Sequence, residues 1–207
     1  MLGERFDRSP LGDAGALARF CRTRAAYVAQ TSLYGYLRTR MGTEYRRHFE
    51  DDAFAASMRI ATAKLFASCL ADLAVFTVAT AARDGNLPEA ECVALAAYVY
   101  RTAYADGMAD VLPDEAPDRE AAFAGFDARL AGTDWAAAAD GEAAFSGSAA
   151  DLVRYAPVID EFKRYDGEIV RNSIRFRWRD VREQARKRID GAALAAAARS
   201  GDDRRSA

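Results

Sequence analysis

The chain has 207 residues, of which 51% are hydrophobic and 11% aromatic, so it can form a sizeable core and is not expected to be disordered. Its 29 basic and 31 acidic residues nearly cancel, which argues against the strongly basic balance of many nucleic-acid-binding proteins. The first 15 residues contain three acids and no apolar run, unlike a secretory signal. The longest uncharged apolar run, residues 73–82, is shorter than the roughly 20 residues that a membrane-spanning helix needs. We therefore expect a cytoplasmic protein with at most peripheral membrane contact.

Alanine is frequent throughout the chain, and no segment shows sustained alternation of β-branched residues. Because alanine is the strongest helix former, this pattern predicts an all-α fold. The first helix is expected over residues 13–41, with Asp13 as its N-cap and Gly42 as its C-cap. A polar connection containing His48, the one histidine of the chain, should follow this helix.

The second helix, predicted over residues 53–82, has only three charged residues, Arg59, Lys64 and Asp72. Most of its circumference must therefore be covered, and we expect it to be the central helix. Asp72 interrupts its apolar surface. A fully buried and unpaired carboxylate would cost several kcal/mol, so Asp72 needs a hydrogen-bond donor, and we expect an arginine of the first helix to provide it.

The remaining helices can be delimited from their capping residues, glycines and prolines. They are expected at residues 86–111, at residues 118–131, from the Ser148 and Asp151 capping pattern to a kink at Pro157, and from there to about residue 189. Residues 133–147 are the least regular part. The sequence thus predicts a single-domain bundle of about five to seven helices over residues 13–189, between a flexible N-terminus (1–12) and a flexible C-terminal tail (190–207).

The near-neutral total charge hides a strong segregation along the chain. Residues 19–47 and residues 171–188 each carry a surplus of six positive charges, whereas residues 84–151 carry a surplus of eleven negative charges. These segments either compensate each other within the fold or present a basic surface to an acidic partner.

The last predicted helix has the clearest pattern in the chain. At 100° per residue one apolar stripe is formed by Ile174, Trp178, Val181 and Ala185. Arginines line both edges of this stripe; the candidate partner-binding residues are Arg175, Arg179, Arg182, Arg186 and, as an apolar anchor where the stripe is exposed, Trp178. Phe176 points away from the stripe, so it is either covered by another helix or marks a second contact surface.

The first helix carries the triplet Arg-Thr-Arg at residues 22–24 and again at residues 38–40. Arg22 and Arg40 are five turns apart on the same side, and we expect them to face water or a partner. Arg24 and Arg38 should lie on the core side with Phe20, Tyr27, Thr31 and Tyr34. Candidate carboxylates for these two buried arginines are Asp72, Asp106 and Asp110.

No catalytic, metal or nucleotide-binding motif is recognisable in the chain. One histidine excludes sites that need two imidazoles, and His48 in its polar connection is typical of a surface residue. No serine lies in a nucleophile motif, and no glycine-rich phosphate loop is present. The odd number of cysteines without a C-x-x-C spacing predicts buried thiols at Cys21, Cys69 and Cys92. We therefore assign no catalytic residue, no metal ligand and no cofactor.

The stretches "RTRAAYVAQTSLYGYLRTRMGT" and "FKRYDGEIVRNSIRFRWRDVREQ" cover the first and last predicted helices. They resemble small uncharacterised helical proteins of high-GC Gram-negative bacteria, some of which carry an esterase label. The resemblance implies no site residue, and an esterase would need an activated serine or cysteine beside a histidine.

The charge segregation favours a non-catalytic helical adaptor or assembly factor that binds an acidic protein, or a second copy of itself, through arginine-flanked seams. Binding to nucleic acid or to an anionic membrane surface is an alternative. It is less favoured because Asp180 and Glu183 interrupt the arginine row. A third alternative is an enzyme or cofactor binder with a bundle pocket formed by Asp72, Asp106, Asp110 and tyrosines such as Tyr100 and Tyr104, although these two tyrosines are more typical of a core.

Overall fold

The computed structural model describes residues 9–42, 49–141 and 143–203, and its regular secondary structure in these ranges is helical. The helices are α1 (Ala14–Met41), α2 (Asp52–Gly85), α3 (Glu89–Met108), α4 (Arg119–Ala131), α5 (Trp135–Asp140), α6 (Gly147–Tyr155), α7 (Asp160–Lys163), α8 (Gly167–Arg188) and α9 (Gly191–Asp203). The predicted all-α class is therefore confirmed. The predictions for residues 1–8, for residues 43–48 with His48, and for residues 204–207 lie outside the described residues.

Helix α2 lies among the other helices and packs against α1, α3, α5, α6 and α9. Thr77 and Thr80 are fully buried in it, and their hydroxyls donate to the carbonyl oxygens of Leu73 and Phe76 at 2.9 Å. These bonds satisfy the polar groups within the helix itself. By length and composition α2 could cross a membrane, but 78% of its most apolar window is buried in the protein, as in the core helix of a soluble domain.

Helix α8 buries the apolar stripe that its periodicity predicts. The predicted residues Ile174, Trp178, Val181 and Ala185 are all buried, and the buried Val170 extends the stripe toward the start of the helix. The helix packs against α6 and α1 with this side. A single apolar stripe between charged edges is therefore enough to predict which side of a helix faces the core.

Helix α1 turns only part of its predicted side to the core, where Phe20 is buried as expected. Tyr27 and Tyr34 were expected on the core side but are 48% and 39% exposed. The buried residues are mainly aliphatic or small, and they include Leu17, Cys21, Ala25, Val28, Ala29, Leu33 and Leu37. Small side chains let α2 and α3 approach closely, whereas a tyrosine leaves its hydroxyl in water at low cost.

The C-terminal segment forms a helix that packs on the core, so the prediction of a flexible tail from residue 190 is wrong for residues 191–200. Helix α9 lies on α2 and buries Leu194 and Ala195. A Cβ on Gly191 would lie 2.6 Å from the carbonyl oxygen of Ala81 and 2.7 Å from the backbone nitrogen of Gly85. The two backbones can approach this closely only because these positions are glycines.

Residues 9–12, expected to belong to a flexible N-terminus, are also held in place. Leu11 is 2% exposed and forms a parallel β-bridge with Ile189. Its backbone nitrogen donates to the carbonyl oxygen of Arg188 at 2.7 Å, and its carbonyl oxygen accepts from the nitrogen of Asp190 at 3.2 Å. The sequence contains no strand pattern that would predict one isolated bridge.

Candidate functional site

A cleft with a volume of about 910 Å³ lies between α1, the first half of α2, and the end of α3 with the turn that follows it. Its α1 wall carries Tyr27, Gln30 and Tyr34. The ring of Tyr34 stacks on Phe49, with centroids 5.9 Å apart and planes inclined by 13°. Partly exposed aromatic rings on the wall of a cleft are typical of a binding surface.

The floor of the cleft is formed by apolar side chains of α2, among them Met58, Ala63 and Phe66. Gly107, near the end of α3, lies directly over the ring of Phe66. A Cβ at this position would be 2.4 Å from Cζ of Phe66, a distance at which the ring or α3 would have to move. Glycine therefore sets how closely the end of α3 approaches α2, and with it the width of the cleft.

An ion pair closes the third side of the cleft. The Nε of Arg59 donates to Oε1 and Oε2 of Glu115 at 2.7 and 2.8 Å, and Nη2 lies 2.6 Å from Oε1. Glu115 is buried, whereas the Arg59 side chain is 54% exposed. The hydrogen bonds from Arg59 lower the pKa of Glu115, so this carboxyl is ionised at neutral pH.

Four further charged residues line the same cleft, Arg22 and Arg24 from α1 and Asp106 and Asp110 from the end of α3. The two arginines are half-buried, whereas both aspartates are exposed. The structure thus brings Arg24 to the same cleft as two of the carboxylates expected near it. Arg22, which was expected to face water or a partner, forms part of the cleft wall instead.

The other two arginines of the α1 triplets have exchanged the roles predicted for them. Arg38 is exposed rather than on the core side. Arg40, expected to be available to a partner, pairs with buried Asp166, which also accepts from the Tyr36 hydroxyl at 2.6 Å. This pairing ties the end of α1 to the start of α8. The predicted division of the arginines into a core pair and a free pair is therefore wrong, because α8 covers a side of α1 that the sequence assigned to water.

Asp72 is fully buried and has the arginine partner that it requires, but the arginine comes from α4 and not from the first helix. Nη1 of Arg129 lies 2.8 Å from Oδ1 of Asp72, and the backbone nitrogen of Ser148 donates to Oδ2 at 2.8 Å. Burial raises the pKa of Asp72, while the Arg129 charge and the Ser148 bonds oppose this rise. Asp72 thereby pairs a backbone N–H in the first turn of α6 that has no acceptor within the helix, which is a structural role.

The residues of the predicted α6 capping box make other contacts. The Ser148 hydroxyl accepts from Nε1 of Trp178 at 3.1 Å, and the Asp151 carboxylate accepts from the Ser68 hydroxyl. The N-cap residue is Ser146, without a side-chain capping bond. The predicted capping box does not form, because Asp72 of α2 accepts the bond from the Ser148 backbone N–H and Trp178 of α8 donates to the Ser148 hydroxyl.

The arginine row of α8 is used partly within the chain. Nη2 of Arg186 donates to the carbonyl oxygens of Ala139 and Asp140 at 3.3 and 3.0 Å, at the end of α5. The Arg182 guanidinium lies 5.8 Å from the ring centroid of Phe145. Arg186 therefore holds the end of α5 against α8, and Arg182 packs on Phe145 beyond α5, so both arginines already have contacts within the chain.

The other two candidate arginines of α8, Arg175 and Arg179, lie in solvent, whereas Trp178 of the neighbouring apolar stripe does not. Trp178 is 1% exposed, so it is a core residue and not an exposed anchor. Arg175 and Arg179 are exposed, and Phe176 is 61% exposed with the Arg179 guanidinium 4.5 Å from its ring centroid. Among the described residues no helix covers Phe176, and its role as a second contact surface stays a prediction.

Tyr100 and Tyr104 belong to an aromatic cluster in the core, as their spacing suggests. Tyr100 stacks on Phe126 with centroids 4.0 Å apart, and the Tyr104 hydroxyl donates to the carbonyl oxygen of Pro117 at 3.0 Å. Burial raises the pKa of Tyr100. Neither tyrosine lines the cleft.

Sequence reasoning missed several residues that shape the cleft, namely Tyr27, Tyr34, Phe66, Gly107 and Glu115. The two tyrosines were assigned to the core, and no periodic signal marks the other three. Among the described residues, no group of three histidine, cysteine, aspartate or glutamate side chains could hold a metal ion. Comparisons of the chain with protein-family models, with curated proteins and with solved structures find no match.

Proposed function

We propose that this chain is a binding protein whose cleft between α1, α2 and the end of α3 holds a small amphipathic molecule. The observation that supports this proposal is the cleft itself, since about 910 Å³ lies within the range of small-molecule sites, which is roughly 300 to 1,000 Å³. Its floor is apolar and its edges are polar and charged, which is the composition expected for a ligand with both kinds of surface.

The walls of the cleft are held by contacts within the chain, which favours a largely preformed site. The Arg59 and Glu115 pair fixes the turn after α3 to α2, and Gly107 lets α3 approach Phe66 closely. A preformed site loses little conformational freedom when it binds a ligand.

The proposal can be tested with the neutral fluorescent probe N-phenyl-1-naphthylamine and a substitution that fills the cleft. Ala26 is exposed and lines the cleft, whereas Ala94 is exposed on α3 and does not line it. We expect Ala26→Trp to weaken probe binding at least about tenfold and Ala94→Trp to leave it unchanged, because a well-packed apolar ligand body contributes several kcal/mol. Equal affinities for both variants, or no binding by the unmodified protein, would contradict the proposal.

A second candidate function is the binding of a protein partner by the exposed side of α8. Phe176 with Arg179 over its ring, and Arg175 beside them, form an exposed aromatic and cationic surface of the kind enriched in protein interfaces. The buried Trp178 is not part of this surface. An acidic partner or a second copy of the chain would fit its charge.

This second candidate predicts that Phe176→Ala combined with Arg179→Ala removes partners recovered by affinity purification from the native cell. The matched control is Gln184→Ala, another exposed residue of the same helix. Recovery of the same partners with both variants would contradict it. Retention on heparin that decreases steeply with salt would instead support the nucleic-acid or anionic-membrane alternative.

A further inference from the structure

We infer that the molecule held in the cleft has a single extended alkyl chain of about 12 to 14 carbons, which lies along α1 and α2. This inference rests on the proposed function and names the class of its ligand. It follows from the length and width of the cleft and from the way in which the polar groups of the cleft are already used.

The length of the cleft follows from the two helices that line it. The lining residues run from Arg22 to Tyr34 on α1 and from Ala55 to Phe66 on α2. At a rise of 1.5 Å per residue, these walls are about 18 and about 17 Å long. An extended alkyl chain advances about 1.3 Å per carbon, so a chain of about 12 to 14 carbons spans either wall.

The two walls run side by side in opposite directions. In the first half of α1, the Cys21 sulfur lies 3.4 Å from the hydroxyl oxygen of Thr77, which belongs to the second half of α2. Further along α1, Tyr34 stacks on Phe49, whose ring also makes an edge contact with Phe54 at the start of α2. The two helices are therefore antiparallel, and the cleft is elongated along both of them.

The volume and the length together give the width of the cleft. A volume of about 910 Å³ over a length of about 17 Å corresponds to a cross-section of about 55 Å², or about 7 to 8 Å across. An α-helix with its side chains is about 10 to 12 Å wide, so the cleft is too narrow to enclose a helical peptide. An extended chain fits this width.

Aliphatic side chains line the cleft along its length. Met58 and Ala63 belong to the floor, and Met108, Val111 and Leu112 lie on the side formed by the end of α3 and the turn after it. Leu112 is 53% exposed, so it offers apolar surface to an occupant. Methionine side chains adapt to irregular apolar shapes, and a flexible alkyl chain can follow such a surface over the whole cleft.

Several polar groups that line the cleft are already paired within the chain. The hydroxyls of Thr62 and Thr23 donate to carbonyl oxygens of their own helices at 2.7 and 3.0 Å. Arg59 and Glu115 bind each other. An extended peptide would bring further N–H and C=O groups that each need a partner, at a cost for every group left unpaired. An alkyl chain has no such requirement.

The experiment measures how affinity depends on chain length. n-Alkyl-β-D-maltosides with eight to sixteen carbons, each below its critical micelle concentration, compete with bound N-phenyl-1-naphthylamine. Their head group is neutral and is the same throughout the series. We expect the affinity to rise about fourfold for each added carbon, the effect of burying one methylene group, and to stop rising at about 12 to 14 carbons, where the chain fills the cleft.

A substitution at one end of the cleft tests whether the cleft itself sets this limit. Ala55→Trp should move the limit to chains shorter by at least about two carbons and leave the affinity for the eight-carbon compound within about twofold, because the rest of the cleft stays open. The matched control is Ala53→Trp, since Ala53 is an exposed residue of the same turn that does not line the cleft. Circular dichroism of each variant checks that the fold is retained.

The failure of this inference can be told apart from the failure of the proposed function. No displacement of the probe by any maltoside, a series without a limit, or equal shifts for Ala55→Trp and Ala53→Trp would overturn the inference. The proposed function would still stand if Ala26→Trp weakens binding of the probe. Absence of probe binding, or binding insensitive to Ala26→Trp, would contradict the proposed function instead.

Discussion

Replacing Asp72 by asparagine is the sharpest test of how this fold is held together. Asp72 is fully buried, and it accepts from Arg129 and from the backbone of Ser148, both at 2.8 Å. Asparagine has nearly the same shape but leaves the Arg129 charge without its counter-ion. Removing one partner of a buried ion pair costs about 3 to 5 kcal/mol. Because the Arg129 side chain is 28% exposed, water solvates part of the remaining charge, and we expect a cost near the lower end of this range.

The chain provides a matched control in Asp127, which pairs with Arg101 at 2.6 Å while both side chains are 47% exposed. An exposed ion pair contributes at most about 1 kcal/mol, so Asp127→Asn should have little effect. For a chain of this size 1 kcal/mol corresponds to about 2 to 4 °C in Tm, so Asp72→Asn should lower Tm by about 6 to 12 °C.

The assay is urea unfolding followed by circular dichroism at 222 nm, together with thermal unfolding of the same variants. In a double-mutant cycle, Asp72→Asn combined with Arg129→Met should cost less than the sum of the single changes, because no buried charge is left unpaired. A loss for Asp72→Asn no larger than that for Asp127→Asn would refute the assignment of Asp72 to a structural ion pair.

Three further predictions follow from particular contacts. Gly191→Ala should destabilise the protein by more than about 2 kcal/mol, because its Cβ would lie 2.6 Å from a backbone oxygen of α2, whereas Gly125→Ala, with open space around it, should be neutral or stabilising by less than about 1 kcal/mol in the same unfolding assay. The pKa of Glu115 is lowered in the folded state, so its contribution to stability is present above its ordinary value of 4.5 and is lost as pH falls through the folded value. In unfolding measurements, the stability difference between the unmodified protein and Glu115→Gln should therefore shrink below pH 4.5. A difference that stays constant with pH would contradict this. Burial raises the pKa of Cys21 to about 12 and that of Cys92 to about 11, so both thiols should react with Ellman's reagent at pH 8 only after unfolding, and rapid reaction of the folded protein would contradict their burial.

The α8 pattern shows what local sequence can predict in this protein. Its buried residues follow from a 100° rotation per residue, and the same rotation places Phe176 away from them, but only the tertiary packing leaves Phe176 exposed. Helix α1 has no comparable single stripe. It packs against α2 and α3 and also against α8, so its buried residues spread around the helix and the tyrosines of the cleft were assigned to the core.

The partners of polar residues and the composition of the candidate site could likewise not be predicted from local sequence. The need of Asp72 for an arginine is evident from its place in an apolar helix, but the choice of Arg129 depends on which helix packs beside it. In the chain, Gly107 and Glu115 lie 41 and 49 positions after Phe66. Only the packing of α3 on α2 brings these three residues to the same cleft.

By itself the sequence determined the helical class, the low charge of α2 and the core side of α8, because these properties depend on composition and on periodicity within one segment. The tertiary structure decided the partners of the arginines, the ordering of α9 and the existence of the cleft. These depend on contacts between segments distant in the chain, such as the approach of Gly191 to Gly85, and no local pattern encodes which surfaces will meet.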